Sequence, residues 1–256
     1  MKFKSPLRSR ALAAWIALLA AGYLAAPIPL AAQNARKTTD ARQVKRYSIE
    51  QFMNTVRVTG ASFSPDERSL LFSSNKTGIF NVYSVPVTGG EARRLTDSTK
   101  ESTFAVTYLP DGRFLYSYDR GGNENTHLYV READGTERDL TPGEKTKANF
   151  SGWAHDRKSF FVSTNARDPK FFDLYEVSLP EFKQTLVFQN EAGYQLADIS
   201  NDKRYVAFTK PGATTIDGDI YLYDTATKQL KHLTPHAGEI SFAAQDFATV
   251  FSSYTP

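Results

Sequence analysis

Four stretches of the chain are versions of one phrase: "SFSPDERSLLFSS" from Ser62, "YLPDGRFLYSYD" from Tyr108, "GWAHDRKSFFVST" from Gly152 and "DISNDKRYVAFTK" from Asp198. Each reads as a strand, a tight turn and a second strand. The turn aspartates are Asp66, Asp111, Asp156 and Asp202, spaced by 45, 45 and 46 residues. Three residues ahead of each stands a large apolar side chain: Phe63, Tyr108, Trp153 and Ile199. Further on, "FNVYSV", "THLYVR", "FDLYEV" and "DIYLYD" carry Tyr83, Tyr129, Tyr175 and Tyr221, each 46 residues after the last. Three units then close on a Leu–Thr step (Leu95–Thr96, Leu140–Thr141, Leu233–Thr234), where the third has "TLVFQ" at 185–189. A period of this size constrains the fold ahead of any single motif, because every unit must be the same supersecondary piece stacked on its neighbours.

Each unit reads as four short strands. A small or apolar inner strand such as "FAVTY" (104–108) precedes the Asp turn, and an aromatic and β-branched strand such as "SFFVST" follows it. The tyrosine strand comes third and the Leu–Thr strand fourth, with "TGGE" (88–91) and "ADGT" (133–136) supplying turn chemistry between them. Four antiparallel strands per repeat predict an all-β chain, a β-propeller with blades at about 55–97, 102–142, 147–189 and 193–235. A β-sandwich does not require corners at equal spacing. Ahead of the first blade, "YSIEQFMN" (47–54) carries a Ser48…Gln51 capping box and predicts one short helix. A fifth unit begins at "GEISFAAQDF" (238–247), but its Asp turn does not follow before Pro256. The expectation is a partial propeller over 47–256, an open array whose fragment 238–256 starts another blade.

The N-terminus has its own grammar. Lys2, Lys4, Arg8 and Arg10 precede the apolar run "ALAAWIALLAAGYLAA" and then "PIPLAAQ", which predicts a secretory signal peptide over 1–32. The run is shorter than the roughly 20 residues that span a bilayer, so no stable membrane anchor is expected. Residues 33–46 read as a flexible basic leader. The whole chain carries 31 Lys and Arg against 28 Asp and Glu, yet from Tyr47 onward the balance is 22 against 27. The folded part is therefore mildly acidic and offers nucleic acid no basic patch. Zero cysteines exclude a disulfide framework and a thiol nucleophile. A periplasmic or secreted protein, stable through its core alone, is expected.

The succession "YSIEQFM", "GASFSPDERSLLFSSNKTGIFNVYSVPVTGGEARRLT", "DRGGNENTHLYVRE", "DLTPGEKTKANFSGWAHD", "ARDPKFFDLYEV" and "DIYLYDTATKQLKHLTPH" resembles the N-terminal propeller of exported bacterial peptidases of the prolyl oligopeptidase family. The resemblance runs through 47–247; single phrases also occur in other propellers, TolB-like ones included. It implies a propeller that caps an α/β-hydrolase domain and admits only short peptides to a catalytic serine. That serine would stand on a G-x-S-x-G elbow within a Ser-Asp-His triad. No G-x-S-x-G occurs here, and Ser62 lies in a strand, so no catalytic residue is assigned and this chain by itself is not expected to hydrolyse peptides. A free-standing TolB-like propeller that binds a protein partner through one face is the alternative.

Within the resemblance, an acidic residue on a propeller loop can pair with a peptide's α-amine. The most polar loop is "DRGGNEN" (119–125), which nominates Glu124 with Asn123 and Arg120 as substrate-binding residues; the plain alternative is a soluble Gly–Gly hairpin. His232 and His236 in "HLTPH" are four apart, but Pro235 and a strand end deny them helical geometry, so neither a metal nor any other cofactor is expected. His155, beside a turn aspartate, is expected to hydrogen-bond within its corner.

Overall fold

The computed structural model describes residues 44–212 and 217–236. The predicted signal peptide, residues 33–43 of the leader and the fragment 238–256 lie outside the described residues. A five-residue helix, α1 (Ile49–Met53), stands within the stretch predicted to be helical, and among the described residues every element after it is a strand.

Among the described residues, sixteen strands form four separate four-stranded antiparallel sheets, each a simple meander. Blade 1 holds β1 (Val58–Phe63), β2 (Ser69–Ser74), β3 (Asn81–Pro86) and β4 (Arg93–Arg94); blade 2 holds β5 (Phe104–Tyr108), β6 (Phe114–Tyr118), β7 (His127–Arg131) and β8 (Glu137–Asp139). Blade 3 holds β9 (Ala148–Trp153), β10 (Ser159–Asp168), β11 (Phe171–Ser178) and β12 (Lys183–Phe188). Blade 4 holds β13 (Gln195–Ile199), β14 (Tyr205–Pro211), β15 (Gly218–Asp224) and β16 (Gln229–His232). This is the predicted propeller architecture. Among the described residues no strand pairing closes the first sheet on the fourth.

The repeated aspartate does one job four times. Its Oδ1 accepts the backbone N–H two residues on, from Arg68 (3.2 Å), Arg113 (3.0 Å), Lys158 (3.0 Å) and Arg204 (3.1 Å). That bond holds the residue between them in the left-handed region, at φ 56° for Glu67, 88° for Gly112, 57° for Arg157 and 60° for Lys203. Glycine alone reaches the largest of these angles without strain, and its corner is one residue tighter. Tyr108 pairs with Phe114, six residues on, whereas Phe63, Trp153 and Ile199 pair with Leu70, Phe160 and Val206, seven residues on.

The later landmarks also have physical causes. Tyr83, Tyr129, Tyr175 and Tyr221 occupy one register position, opposite Phe72, Tyr116, Val162 and Phe208 on the second strand. The Leu–Thr threonines tie the end of the fourth strand to the third. Thr96, Thr141 and Thr234 accept through Oγ1 the N–H of Val82 (2.8 Å), Leu128 (2.9 Å) and Ile220 (2.9 Å). Blade 3, which lacks the threonine, inverts the bond: Asn190 N–H donates to Asp173 Oδ1 at 2.7 Å, and Arg167 donates to the same buried carboxylate at 2.6 and 2.9 Å.

The core lies between the blades rather than inside any one of them. Leu71 and Val82 of blade 1 pack on Tyr108, Phe114 and Tyr116 of blade 2. Leu115, Leu128 and Leu140 of blade 2 meet Phe160, Val162 and Phe182 of blade 3. Phe161, Leu174 and Phe188 of blade 3 meet Val206, Phe208 and Tyr223 of blade 4. Successive side chains of a strand point to opposite faces, so each blade has one apolar face toward the blade before it and one toward the blade after it. The meander also sorts the loops. Asp corners and third-to-fourth-strand turns share one end, while inter-blade connections and second-to-third-strand hairpins share the other. One expectation fails at a corner: His155 is exposed, and among the described residues its side chain has no hydrogen-bond partner.

Candidate functional site

The polar loop 119–126 is the hairpin between β6 and β7, so it stands at the connection end of blade 2. Gly121 (φ 67°), Gly122 (φ 69°) and Glu124 (φ 59°) turn the chain back on itself. Asp119 Oδ2 accepts the Glu124 N–H at 2.9 Å, and Asn123 Oδ1 accepts the Asn125 N–H at 2.9 Å. Asn125 Nδ2 then donates to the Glu144 carbonyl at 3.1 Å, tying the loop to the connection that leads into blade 3. The loop is thus held by its own side chains.

Between this loop and that connection lies a cleft of about 330 Å³, lined by Arg120, Asn123, Asn125, His127, Asp139, Pro142, Gly143 and Glu144. Two of the three nominated residues, Arg120 and Asn123, therefore share one wall. Glu124 stands between Asn123 and Asn125 with its side chain exposed and outside the lining. Its left-handed φ is the one that Glu67, Arg157 and Lys203 adopt at ordinary corners, so backbone conformation alone does not mark it. Arg120 holds its guanidinium 5.9 Å from the centre of the Tyr129 ring, and burial pushes the Tyr129 phenol up.

The floor contains a pair that the sequence did not reveal. His127 Nδ1 lies 2.7 Å from Asp139 Oδ2, and His127 Nε2 lies 2.9 Å from the Gly143 carbonyl. Both ring nitrogens face oxygen atoms of the chain itself, so the imidazole braces the cleft and has no free nitrogen for a substrate proton. Asp139 also accepts the Thr141 N–H at 2.9 Å. Blade 4 carries the pair with its members exchanged: Asp219 stands where His127 does, two residues before the repeated tyrosine, and His232 where Asp139 does, across from it. There His232 Nε2 lies 2.8 Å from Asp219 Oδ1, and that hydrogen bond holds the carboxyl below its usual range. His236 approaches Asp217 and Asp219 at 3.4 Å. Among the described residues no group of three or more such side chains is arranged to hold a metal ion. Ser62 lies in β1, where its Oγ accepts the Tyr108 N–H at 3.2 Å and lies 3.2 Å from Thr107 Oγ1.

A second, larger cleft of about 460 Å³ opens between blades 3 and 4 at the same end. Asn149, Phe171, Phe172, Tyr194 and Gln195 line it, and Lys170 reaches it from the long β10–β11 hairpin. Sequence reasoning missed this cleft. No difference of length announced it, since Val162 and its partner Tyr175 are 13 residues apart, as are Tyr116 and Tyr129 or Phe208 and Tyr221; only the pairing, which runs on to Asp168 opposite Phe171, marks this hairpin. The arrangement at this end, polar amides with aromatic walls and both signs of charge, suits binding of short polar segments.

No protein-family model matches the chain. Over 208 residues it is 31% identical to dipeptidyl aminopeptidase BIII of Pseudoxanthomonas mexicana, a match covering 77% of this chain and 30% of that protein. Among solved structures, prolyl oligopeptidase B from Galerina marginata, bound to a 25mer macrocyclization substrate, superposes with a TM-score of 0.50. It shares 17% identity, over 69% of this chain and 27% of that one. TolB from Acinetobacter baumannii gives a TM-score of 0.49 at 17% identity, over 72% of this chain and 45% of that one. The chain thus spans about a third of the length of the peptidase that it matches in sequence.

Proposed function

Because the chain belongs to the prolyl oligopeptidase family, as an N-terminal propeller of that family, we propose that it is the substrate-gating part of an exported serine peptidase that acts on short peptides. The catalytic serine would come from outside the described residues. In this reading the connection end faces the substrate, and the blade-2 loop receives the peptide's free α-amine. Glu124 supplies the charge, while Asn123 and Arg120 orient the backbone that follows. Export rests on the charged-then-apolar N-terminus.

The single observation that carries the reading is the 31% identity over 208 residues to a dipeptidyl aminopeptidase. The cleft beside Glu124 supports it, since a carboxylate on a loop pinned by the side chains of Asp119, Asn123 and Asn125 is pre-positioned for a charge-assisted bond. Nuclear magnetic resonance titration tests the site. A dipeptide with a free N-terminus should shift the resonances of residues 119–125, its N-acetylated form should not, and Glu124→Gln should weaken the response at least ~10-fold. Equal shifts from the acetylated peptide would remove Glu124 from the reading. Separately, this chain should neither hydrolyse a chromogenic dipeptide nor react with a fluorophosphonate; robust labelling of one serine would overturn the assignment of catalysis to another part.

A further inference from the structure

His127 stands between two acceptors. Its Nδ1 lies 2.7 Å from Asp139 Oδ2 and its Nε2 lies 2.9 Å from the Gly143 carbonyl oxygen. Neither an ionised carboxylate nor a carbonyl can donate, so both contacts are hydrogen bonds only when both ring nitrogens carry hydrogen. A neutral imidazole has one N–H. Beside an ionised Asp139 it serves one partner and turns a lone pair on the other. The arrangement thus holds one proton more than a neutral ring and an ionised carboxyl supply, whichever member of the pair carries it.

What that proton secures is a short piece of chain. Residues 142–145 are exposed and run between buried Thr141 and Thr146. The flanks are fixed, because Thr141 accepts the Leu128 N–H at 2.9 Å and Ala148 donates to the Thr126 carbonyl at 2.9 Å. Between them the Gly143 carbonyl meets His127 and also accepts the Thr146 N–H at 3.1 Å, while Asn125 donates to the Glu144 carbonyl. We infer that His127 and Asp139 form a pH-operated latch on the blade-2 cleft: with the extra proton they clamp residues 142–145 against β7, and without it they release that piece and widen the cleft. As pH rises, Nδ1 keeps its hydrogen on the carboxylate, the stronger acceptor. The Nε2 lone pair is then left facing the Gly143 oxygen.

The groups around the ring are compatible with this. Asp139, Glu144 on the connection and Glu137, which accepts the Tyr118 hydroxyl at 2.9 Å, favour the proton. Arg120 across the cleft and Lys145 along the connection oppose it. Tyr118, opposite on β6, and Tyr129, two residues on, stay neutral because burial pushes both phenols up. Blade 4 supplies the contrast. There His232 Nε2 lies 2.8 Å from Asp219 Oδ1 and the ring stacks on Tyr221 at 4.4 Å, which a neutral imidazole with a single N–H satisfies.

Nitrogen-15 resonances of the histidine rings, followed from about pH 5 to about pH 8, where imidazole changes charge, test the latch. Both His127 nitrogens should read as protonated at the acid end, and Nε2 should lose its hydrogen as pH rises. The backbone amides of residues 143–146 should shift with the same midpoint. His127→Phe should abolish that shift. Asp139→Asn should abolish it by locking the latch shut: its amide oxygen still accepts the Thr141 N–H, its NH2 donates to Nδ1, and a neutral ring keeps Nε2–H on Gly143. In that variant the amides of residues 143–146 should stay near their acid-end positions throughout. A His127 ring with one hydrogen at pH 5, amides that stay still while the ring titrates, or an Asp139→Asn protein that titrates as the wild type does would each overturn the proposal. No peptide is added, so these outcomes are separate from the α-amine reading of Glu124.

Discussion

Thr141 shows how one hydroxyl holds a strand in place. It is buried, and its Oγ1 accepts the N–H of Leu128, which lies at the heart of the contact between blades 2 and 3. Thr141→Val keeps the shape and removes the acceptor, leaving a buried N–H without a partner. The expected cost is about 1–3 kcal/mol in urea unfolding, and Thr141→Ser, which keeps the oxygen, should recover most of it. The corner aspartates respond to acid instead. The Ser64 and Ser200 hydroxyls and the backbone N–H groups beyond them hold Asp66 and Asp202 below the usual carboxylate range. At Asp156 the backbone bond from Lys158 leads; at Asp111 burial opposes the shift, and the bonds from Arg113 outweigh it. A carboxyl whose folded pKa is depressed contributes stability above its unfolded pKa, about 3.9, and loses that contribution as pH falls through the folded value. The melting temperature should therefore vary little with these groups above about pH 5 and fall below about pH 4. Asp202→Asn, which keeps the oxygen acceptor without the charge, should flatten that fall.

Blade 3 is the element that breaks the pattern, and it tests whether the pattern has been understood. In place of a threonine it closes on Asp173, fully buried, with Arg167 on one side and the Asn190 N–H on the other. Asp173→Ala strands the buried Asn190 N–H and takes two bonds from Arg167, which is partly exposed and keeps its donation to the Asn190 carbonyl, so it should destabilise by about 1–3 kcal/mol, at least as much as the Thr141→Val change in the neighbouring blade. Chemical denaturation of both variants makes the comparison. The corners, tyrosines and Leu–Thr steps were legible in the sequence because each is a local bond repeated at fixed spacing. Asp173 was not, since its partners lie 6 residues before and 17 residues after it and only the pairing of β11 with both β10 and β12 unites them. The candidate site divides in the same way. Arg120 and Asn123 could be picked out because a Gly–Gly pair and a run of amides announce a polar hairpin. His127 and Asp139 could not, because their contact exists only through the β7–β8 register, and the inter-blade cleft needs two sheets to be placed side by side. His155 failed for a simpler reason. The corner's acceptor is the aspartate and its donors are backbone, which leaves the side chain before it with nothing to do.

At the scale of the whole molecule, stability is distributed like that of a stack. Each blade's sheet is small, and the apolar residues that hold it are shared with the next blade, so the array behaves as local units joined by nearest-neighbour contacts. Where a contact is weakened should then matter as much as by how much. Phe160 is completely buried in the middle contact, edge-on to Trp153 and Phe182, with Leu115, Leu128 and Leu140 opposite. Phe208 occupies the last contact, 4.4 Å from Phe188 between ring centres. Either residue replaced by alanine should cost about 3–5 kcal/mol by the loss of burial and the cavity left behind. The consequences should differ. Phe160→Ala separates blades 1 and 2 from blades 3 and 4, so hydrogen exchange should quicken in both halves, with the amides of β5–β7 and β9–β11 losing protection together. Phe208→Ala frees one terminal blade, so β13–β16 should exchange faster while β5–β7 keep nearly wild-type protection. If both variants loosened all sixteen strands equally, the molecule would be a single cooperative unit, and its sheets would be bound by something other than the three contacts between them.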